Sequence, residues 1–129
     1  MAVRLTDEQR RVLERLNYAH LATLMPDGSP HVSPMWVDVD GDHVLVNTVP
    51  GRLKARNVRR DPRVALSVRD HERGEDEVTI RGRVVEITED GAIDHIHALS
   101  RKYRGKDFDL PPGQVRVVLR IEPDHVTGP

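Results

Sequence analysis

A hairpin signal in the first half of the chain constrains the fold most. The segment HVSPMWVDVD (31–40) ends in strict alternation of valine and aspartate, and Asp40-Gly41-Asp42 separates it from the apolar segment HVLVNTV (43–49). Alternation with a period of two is typical of a half-buried strand, and an Asp-Gly turn between two such segments is typical of a tight antiparallel hairpin. We therefore predict paired strands here and a chain rich in β-structure.

The other segments extend this pattern. Most of the predicted strands follow one another through short turns, so we expect mostly antiparallel neighbours. The result is a mainly β fold, a small barrel of about six strands with helices at its edges, in one domain over residues 1–129. Further strands are predicted at 20–25, 63–68, 78–87 and 115–123, and helices from the Thr6 cap to about Asn17, at 53–60 and at 90–103.

Three strands carry finer expectations. RVALSV (63–68) is almost continuously apolar, so we expect both of its faces to be covered. In VTIRGRVVEI (78–87) the apolar positions change phase beside Gly82, which is typical of a β-bulge. In the last strand, 115–123, the alternate apolar residues from Val115 onward are expected to share one face.

The first helix has a defined start. Thr6 and Gln9 fit a capping box, in which each side chain bonds the backbone of the other residue. Val12, Leu13 and Leu16 then form one apolar stripe, which is the helical period.

The composition excludes several classes of protein. The chain has no cysteine, so disulfides, thiolate nucleophiles and cysteine-based zinc sites are ruled out. No apolar run approaches the ~20 residues of a membrane-spanning helix. The first residues show no signal-peptide apolar region, so we expect a cytoplasmic protein without a membrane partner. The histidines show no tight metal-binding spacing, so we predict no metal site and expect His95 and His97 at the surface.

Positive charge is concentrated in TVPGRLKARNVRRDPR (48–63), which holds six of the 20 lysine and arginine residues although the formal net charge is −1. Arg52 and Lys54 fall in the first turn of the predicted helix, where free backbone N–H groups and the helix dipole add positive potential. Such a turn is typical of a phosphate site, with Arg56 one helical turn further on. The alternative is an exposed helix whose arginines are only solvated.

Four residues of the neighbouring strands could complete a groove above this basic turn. They are Ser33, Trp36, Asn47 and Thr48. The alternative interpretation is structural, because a lone tryptophan in a strand is usually part of the core, and asparagine or threonine at a strand end usually bonds turn amides. No Ser-His-Asp or Ser-Lys arrangement is identified, so we predict no catalytic side chain.

Two adjoining stretches resemble a known family. They are LATLMPDGSPHVSPMWVDVDGDHVLVNT and GRLKARNVRRDPRVALSV, and together they resemble the pyridoxamine 5′-phosphate oxidase-like split β-barrel flavoproteins. RKYRGKDF (101–108) and VVLRIEPDHV (117–126) are similar to the tail of the short branch that depends on the deazaflavin coenzyme F420. The resemblance implies a split β-barrel and a homodimer whose cofactor lies in a groove at the subunit interface.

The resemblance also implies roles for individual residues. Arg52 and Lys54 match the phosphate-binding basic pair, and Asn57 lies on the helix that follows. Tyr103 approaches the site from the partner subunit or braces the dimer. The cofactor-binding positions implied are Met25, Ser33, Met35, Trp36, Val37, Asn47, Thr48, Arg52, Lys54, Arg56, Asn57 and Tyr103.

The implied function is hydride transfer between F420 and a conjugated small molecule. The anionic oligoglutamate tail of F420 would gain from extra cations such as Arg56 and Arg60. Two alternatives share the fold: an FMN-dependent oxidoreductase, and a cofactor-binding protein without turnover. A fourth hypothesis is a nucleic-acid binder that uses the arginine-rich helix, and the net charge of −1 and scarcity of aromatic residues argue against it.

Overall fold

The computed structural model describes residues 2–129 and forms three helices and one seven-stranded sheet. The strand order is β2-β1-β5-β6-β7-β4-β3, and every neighbouring pair is antiparallel. The predicted mainly β fold with edge helices is confirmed, with seven strands instead of six. The elements are α1 (Asp7–Glu14), β1 (Ala19–Leu24), β2 (Pro30–Met35), β3 (Asp38–Asp40), β4 (His43–Thr48), α2 (Leu53–Arg60), β5 (Arg63–Arg69), β6 (Glu77–Thr88), α3 (Ala92–Arg104) and β7 (Val117–Thr127).

The link between β2 and β3 forces the sheet to roll up. Only Trp36 and Val37 separate Met35, which ends β2, from Asp38, which begins β3, yet these strands form opposite edges of the sheet. Three residue steps span at most roughly 11 Å, whereas six strand spacings in a flat sheet would span roughly 29 Å. The two edges therefore come close without pairing, which is the geometry of a split β-barrel.

The prediction of one continuous strand over 31–40 was wrong, because the chain changes edges at Val37. The Val37 N–H donates to Tyr103 Oη at 3.1 Å, and the Val37 carbonyl accepts from Lys102 Nζ at 2.8 Å. Both partners belong to α3. They satisfy backbone groups that a strand neighbour would otherwise have to bond, so the ladder can stop here without leaving buried polar groups unpaired.

Helix α1 closes one side of the core and ends earlier than expected. The capping box is confirmed, since Gln9 N donates to Thr6 Oγ1 at 3.1 Å and Thr6 N donates to Gln9 Oε1 at 2.9 Å. The helix stops at Glu14 because Asn17 Nδ2 donates to the Val12 carbonyl at 2.8 Å and replaces a further helical bond. Leu16 lies beyond the helix and is 58% exposed, so it is not part of the apolar stripe.

The strand covered on both faces is β4, and the prediction of two covered faces for 63–68 was wrong. In β5 only alternate residues are buried, since small Ala65 and Ser67 face outward. In β4 every residue after His43 is buried, because its inner side chains join the main core and Leu45 packs in a second cluster under α3. The main core lies inside the rolled sheet, and its largest fully buried side chains include Leu13, Leu21, Ile80, Leu119 and Ile121.

The bulge predicted beside Gly82 is confirmed. The register between β6 and β7 shifts at Gly82 and again after Val84, where Val85 is left outside the ladder and is 45% exposed. Strand β7 begins at Val117, so Val115 precedes the strand and is exposed, contrary to the prediction that it shares the buried face. None of the three helices within residues 2–129 is long and apolar enough to cross a membrane.

We predict that Gly82→Ala destabilises the fold, because a Cβ at this position would collide with the carbonyl oxygen of Glu122 on β7. Crowding of this kind typically costs about 1–3 kcal/mol. The matched control is Gly74→Ala, where no atom lies within 4 Å of the added Cβ. Urea denaturation of the two variants checks the prediction, and equal free energies of unfolding would contradict it.

Candidate functional site

One groove gathers half of the sequence-predicted site residues. It has a volume of about 400 Å3 and lies between the ends of β2 and β4, the start of α2, and α3. Met35, Trp36, Asn47, Thr48, Arg52 and Lys54 all line it. The groove is completed by Tyr18, Pro34, Ile96, Leu99, Phe108 and Arg116.

The positive end of the groove is a cluster of three cations, Arg52, Lys54 and Arg116. Burial, and then the nearby charge of Arg52, lower the pKa of Lys54 and of Arg116. Within residues 2–129, none of the three forms an ion pair with a carboxylate. Three neighbouring positive charges without a carboxylate partner, two of them partly desolvated, favour the binding of an anion here.

The start of α2 adds positive potential to this cluster. Arg52 is the N-cap residue, and no side chain caps the helix. The N–H groups of the first turn lack intrahelical partners, and the helix dipole places partial positive charge at the same end. The predicted basic turn therefore coincides with an uncapped helix start that borders the groove.

The opposite wall of the groove is aromatic, and all four aromatic residues of the chain contribute to it. Trp36 stacks on Tyr103 with ring centroids 5.3 Å apart and planes 5° from parallel. Tyr18 contacts the same tyrosine at 5.7 Å, and Phe108 meets Trp36 edge-on at 6.4 Å. In a chain with so few rings, their convergence on one wall indicates a platform for a flat ligand.

Tyr103 supports this wall from within its own chain. Its hydroxyl donates to the Asn17 carbonyl at 2.6 Å and accepts from the Val37 N–H at 3.1 Å. Burial raises its pKa to about 12, so the hydroxyl stays protonated at neutral pH and keeps donating. Tyr103 therefore holds Trp36 and the β2–β3 link in place, a role that the resemblance did not imply.

Asn47 is buried at the floor of the groove and bonded on every side. Its amide nitrogen lies 2.9 Å from the Ala92 carbonyl and 3.1 Å from His95 Nδ1, and its oxygen accepts from Arg116 Nε at 2.6 Å. His95 is also largely buried, and its Nε2 faces Asp38 Oδ2 at 3.7 Å. Contact with this imidazole lowers the pKa of the Asp38 carboxyl.

Placing His95 and His97 at the surface was wrong. Both rings are partly buried because α3 packs against the sheet and against the segment after it. His97 Nδ1 accepts from the Phe108 N–H at 3.1 Å, and so fixes the loop that carries Phe108 beside the groove. Within the described residues, 2–129, no group of three or more metal-ligating side chains occurs.

The other six predicted residues do not line the groove. Val37 is fully buried in the core, Ser33 has a buried hydroxyl without a partner in residues 2–129, and Arg56 is exposed on α2. Asn57 is fully buried and donates to Thr23 Oγ1 at 3.0 Å. The other two are Met25, whose sulfur lies 3.6 Å from Asn57 Nδ2, and Tyr103, behind Trp36.

Sequence reasoning missed Arg116 and Phe108 as groove residues. Arg116 directly precedes β7, beyond the basic stretch of 48–63, and its own segment shows no clustering of charge. The guanidinium carbon lies 4.9 Å from the centre of the Phe108 ring, so these two residues join the cationic end of the groove to the aromatic wall. For Phe108, the signal in the sequence was that the chain has only four aromatic residues, so each of them was a candidate for a ligand-binding wall.

A larger cavity of about 800 Å3 lies elsewhere, between β1, the end of β5 and the loop that follows it. Its charged residues are neutralised by ion pairs. Asp70 pairs with Arg15 at 3.1 Å, and Arg69 pairs with Glu77 at 3.5 Å. We identify the smaller groove as the candidate functional site because it holds the unpaired cations.

Comparison with known proteins gives one family and several similar structures. A family model described as pyridoxamine 5′-phosphate oxidase matches residues 5–128. The chain is similar to a structure named F420 reductase, with a TM-score of 0.84 and 31% identity over 95% of this chain and 98% of that one. No curated protein matches the chain.

Two further structures extend the comparison. A conserved hypothetical protein of Mycobacterium tuberculosis is similar with a TM-score of 0.75 and 27% identity, over 97% of this chain and 84% of that one. The HupZ protein of Group A Streptococcus shares the fold, with a TM-score of 0.71 and 19% identity over 96% of this chain and 93% of that one.

We predict that Tyr103→Phe lowers stability, because it removes the bond to Asn17 and leaves the Val37 N–H unpaired. An unsatisfied buried donor costs about 1–3 kcal/mol. Tyr18→Phe is the matched control, since the Tyr18 side chain is 58% exposed and its hydroxyl has no hydrogen bond within residues 2–129. Thermal denaturation of both variants measures the difference, and an equal melting temperature would refute the bracing role of Tyr103.

Proposed function

Because the chain belongs to the pyridoxamine 5′-phosphate oxidase family, we propose that it is an F420-dependent oxidoreductase. The family and the split-barrel fold support an oxidoreductase or flavin-binding role. The similarity to a structure named F420 reductase supports the deazaflavin as cofactor. The proposed substrate is a conjugated small molecule that accepts a hydride.

The observation that carries the proposal is the division of the groove into two ends. F420 and FMN each join a flat ring to a phosphate-bearing chain. The unpaired cluster of Arg52, Lys54 and Arg116 fits the phosphate, and the wall built on Trp36 fits the ring. The volume of about 400 Å3 lies within the range of roughly 300–1,000 Å3 that is common for ligand sites.

Binding a phosphate would relieve an unfavourable feature of the free protein. Arg52 repels both Lys54 and Arg116, and burial limits the water that could solvate these two side chains. An anion placed among them would form charge-assisted hydrogen bonds, which are about twice as strong as neutral ones. It would also raise the pKa of Lys54 back toward its ordinary value, because an opposite charge favours the ammonium form.

The protein would supply binding and orientation, and the cofactor would supply the chemistry. When bound, a reduced deazaflavin would supply the hydride that the substrate accepts. Met35 and Trp36 would flank the ring, and Arg52 and Lys54 would hold the phosphate.

Two alternatives keep the same site. FMN would use the same three cations and the same wall, because it shares a phosphate and a planar ring. A cofactor carrier would bind F420 or FMN in the groove without transferring a hydride to any substrate. Absorbance of the purified protein and turnover assays with F420H2 separate these alternatives from the proposal.

We also propose that the protein is a homodimer whose partner subunit completes the groove. Val32 on edge strand β2 is 62% exposed, and it pairs with Ala22 of β1, which in turn pairs with Ala65 of β5. These apolar side chains share an outer face of the sheet, where burial against a second copy would be favourable. Pro34 belongs to the same strand face and also lines the groove, so this face adjoins the site.

The central prediction for the cationic cluster is that Arg52→Ala and Lys54→Ala each weaken F420 binding roughly tenfold or more. A hydrogen bond to a charged group is worth about 1.5–3 kcal/mol. The melting temperature of the cofactor-free protein should not fall, since neither side chain has a partner within residues 2–129. Arg11→Ala, an exposed arginine on α1, is the control. Normal F420 affinity in both variants would favour a merely solvated helix.

The second prediction separates F420 from FMN by charge. FMN carries about two negative charges on its phosphate, whereas F420 adds a longer anionic tail that would extend past the cluster toward exposed Arg56. Exposed charges are screened over about 10 Å at ~0.1 M salt. F420 affinity should therefore fall with salt, and Arg56→Ala should flatten that fall while leaving FMN affinity nearly unchanged.

Fluorescence titrations of both cofactors at low and moderate salt measure this effect. Arg60 is a poorer choice for substitution because its guanidinium donates to the Leu24 carbonyl and to Asn57 Oδ1, so its loss would also disturb the fold. Tighter binding of FMN than of F420 at every salt concentration would overturn the choice of F420 and leave the fold unaffected.

For the oligomeric state, we predict that light scattering at micromolar concentration gives about twice the chain mass of 14.6 kDa. Val32→Asp should shift the protein toward the monomer, because it places a charge in the proposed interface. Val85→Asp is the control, since Val85 is also exposed but lies at the β6 bulge. A wild-type protein with the mass of a single chain would rule out the dimer.

A further inference from the structure

Asn47 connects α3 to the cationic end of the groove. Only 7% of its surface is exposed, and its amide joins three partners. The nitrogen donates to the Ala92 carbonyl at 2.9 Å and lies 3.1 Å from His95 Nδ1. The oxygen accepts from Arg116 Nε at 2.6 Å. The residue is therefore placed between a helix that is fixed to the sheet and a side chain that faces the groove.

The chemistry of the partners fixes the orientation of this amide. A guanidinium N–H can only donate and a backbone carbonyl can only accept, so the Asn47 oxygen must face Arg116 and its nitrogen must face Ala92. His95 Nδ1 must then accept the second amide proton, which leaves the imidazole proton on Nε2, toward Asp38 at 3.7 Å. Rotating the amide by half a turn would break all of these contacts.

Arg116 is held on two further sides. Its Nη1 donates to Gln114 Oε1 at 2.8 Å, and its guanidinium lies over the Phe108 ring at 4.9 Å. Its Nη2 has no hydrogen-bond partner within residues 2–129. The side chain is thus restrained by its neighbours while donors of the guanidinium are left for an anion in the groove.

We propose that Asn47 is a positioning residue that holds the Arg116 guanidinium in the groove, so that Arg116 binds the same anion as Arg52 and Lys54. The proposal rests on the proposed function only in that the anion is a cofactor phosphate. It differs from the role that the family resemblance implies for Asn47, which is direct contact with the cofactor. Both amide protons are already engaged, so only one lone pair of the oxygen is left for a ligand.

The positioning can be tested first without any cofactor. In 15N-labelled wild-type protein, the Nε–H of Arg116 should exchange with solvent roughly tenfold or more slowly than that of exposed Arg11. Asn47→Ala should remove this protection, and Gln114→Ala, which leaves the Nε bond intact, should preserve it. Fast exchange in the wild type would overturn the proposal even if Asn47→Ala fails to fold. Equal exchange in the wild type and Asn47→Ala would also overturn it.

A double-mutant cycle tests the consequence for binding. The ligand is F420 or FMN, whichever the wild type binds more tightly. Asn47→Ala and Arg116→Ala should each weaken binding roughly tenfold and flatten its salt dependence equally. The double variant should lose roughly tenfold and not a hundredfold, because both changes remove one contact. Additive losses, or an unchanged salt dependence in Asn47→Ala, would overturn the positioning role.

The exchange measurement and the double-mutant cycle together keep this inference separate from the proposed function. A wild type that binds neither cofactor but protects the Arg116 Nε–H would contradict the proposed function and support the positioning by Asn47. A wild type that binds F420, with affinity losses that add in the double-mutant cycle, would support the proposed function and contradict the positioning by Asn47.

Discussion

Two residues, Trp36 and Val37, connect opposite edges of a seven-stranded sheet, and this short link determines how tightly the sheet rolls. At the link the backbone has no strand neighbour, so α3 supplies the missing partners through Lys102 and Tyr103. Docking of α3 at this point stacks Tyr103 on Trp36 and so builds the aromatic wall of the groove. The closure of the fold and the shape of the site therefore have the same cause.

The cationic cluster is the part of the site that the fold does not explain. Arg52, Lys54 and Arg116 gain nothing from one another, and burial lowers the pKa of the latter two. Elsewhere within residues 2–129 many arginines pair with carboxylates, as Arg83 does with Glu122 and Asp124. A chain with 21 acidic residues could have paired the cluster as well. Leaving it unpaired destabilises the free protein slightly and favours an anionic ligand.

Sequence patterns predicted the secondary-structure elements and the clustering of positive charge better than they predicted contacts between residues far apart in the chain. The helix at 53–60, the capping box at Thr6 and the bulge at Gly82 depend on local chemistry, and all three are confirmed. The break at Val37 depends on Tyr103, 66 residues further along the chain, and Arg116 is placed by its bond to Asn47, 69 residues earlier. No local pattern records such contacts. The resemblance to the family correctly gave the fold, while the roles of individual site residues are still proposals.

The most direct test of the account is a crystal structure of the protein with F420. We expect the phosphate within hydrogen-bonding distance of Lys54 Nζ and the Arg52 guanidinium, and the deazaflavin ring against Trp36. A cofactor that occupies the larger cavity beside Leu16 and His71 instead, or whose phosphate lies away from Arg52 and Lys54, would contradict the assignment of the groove.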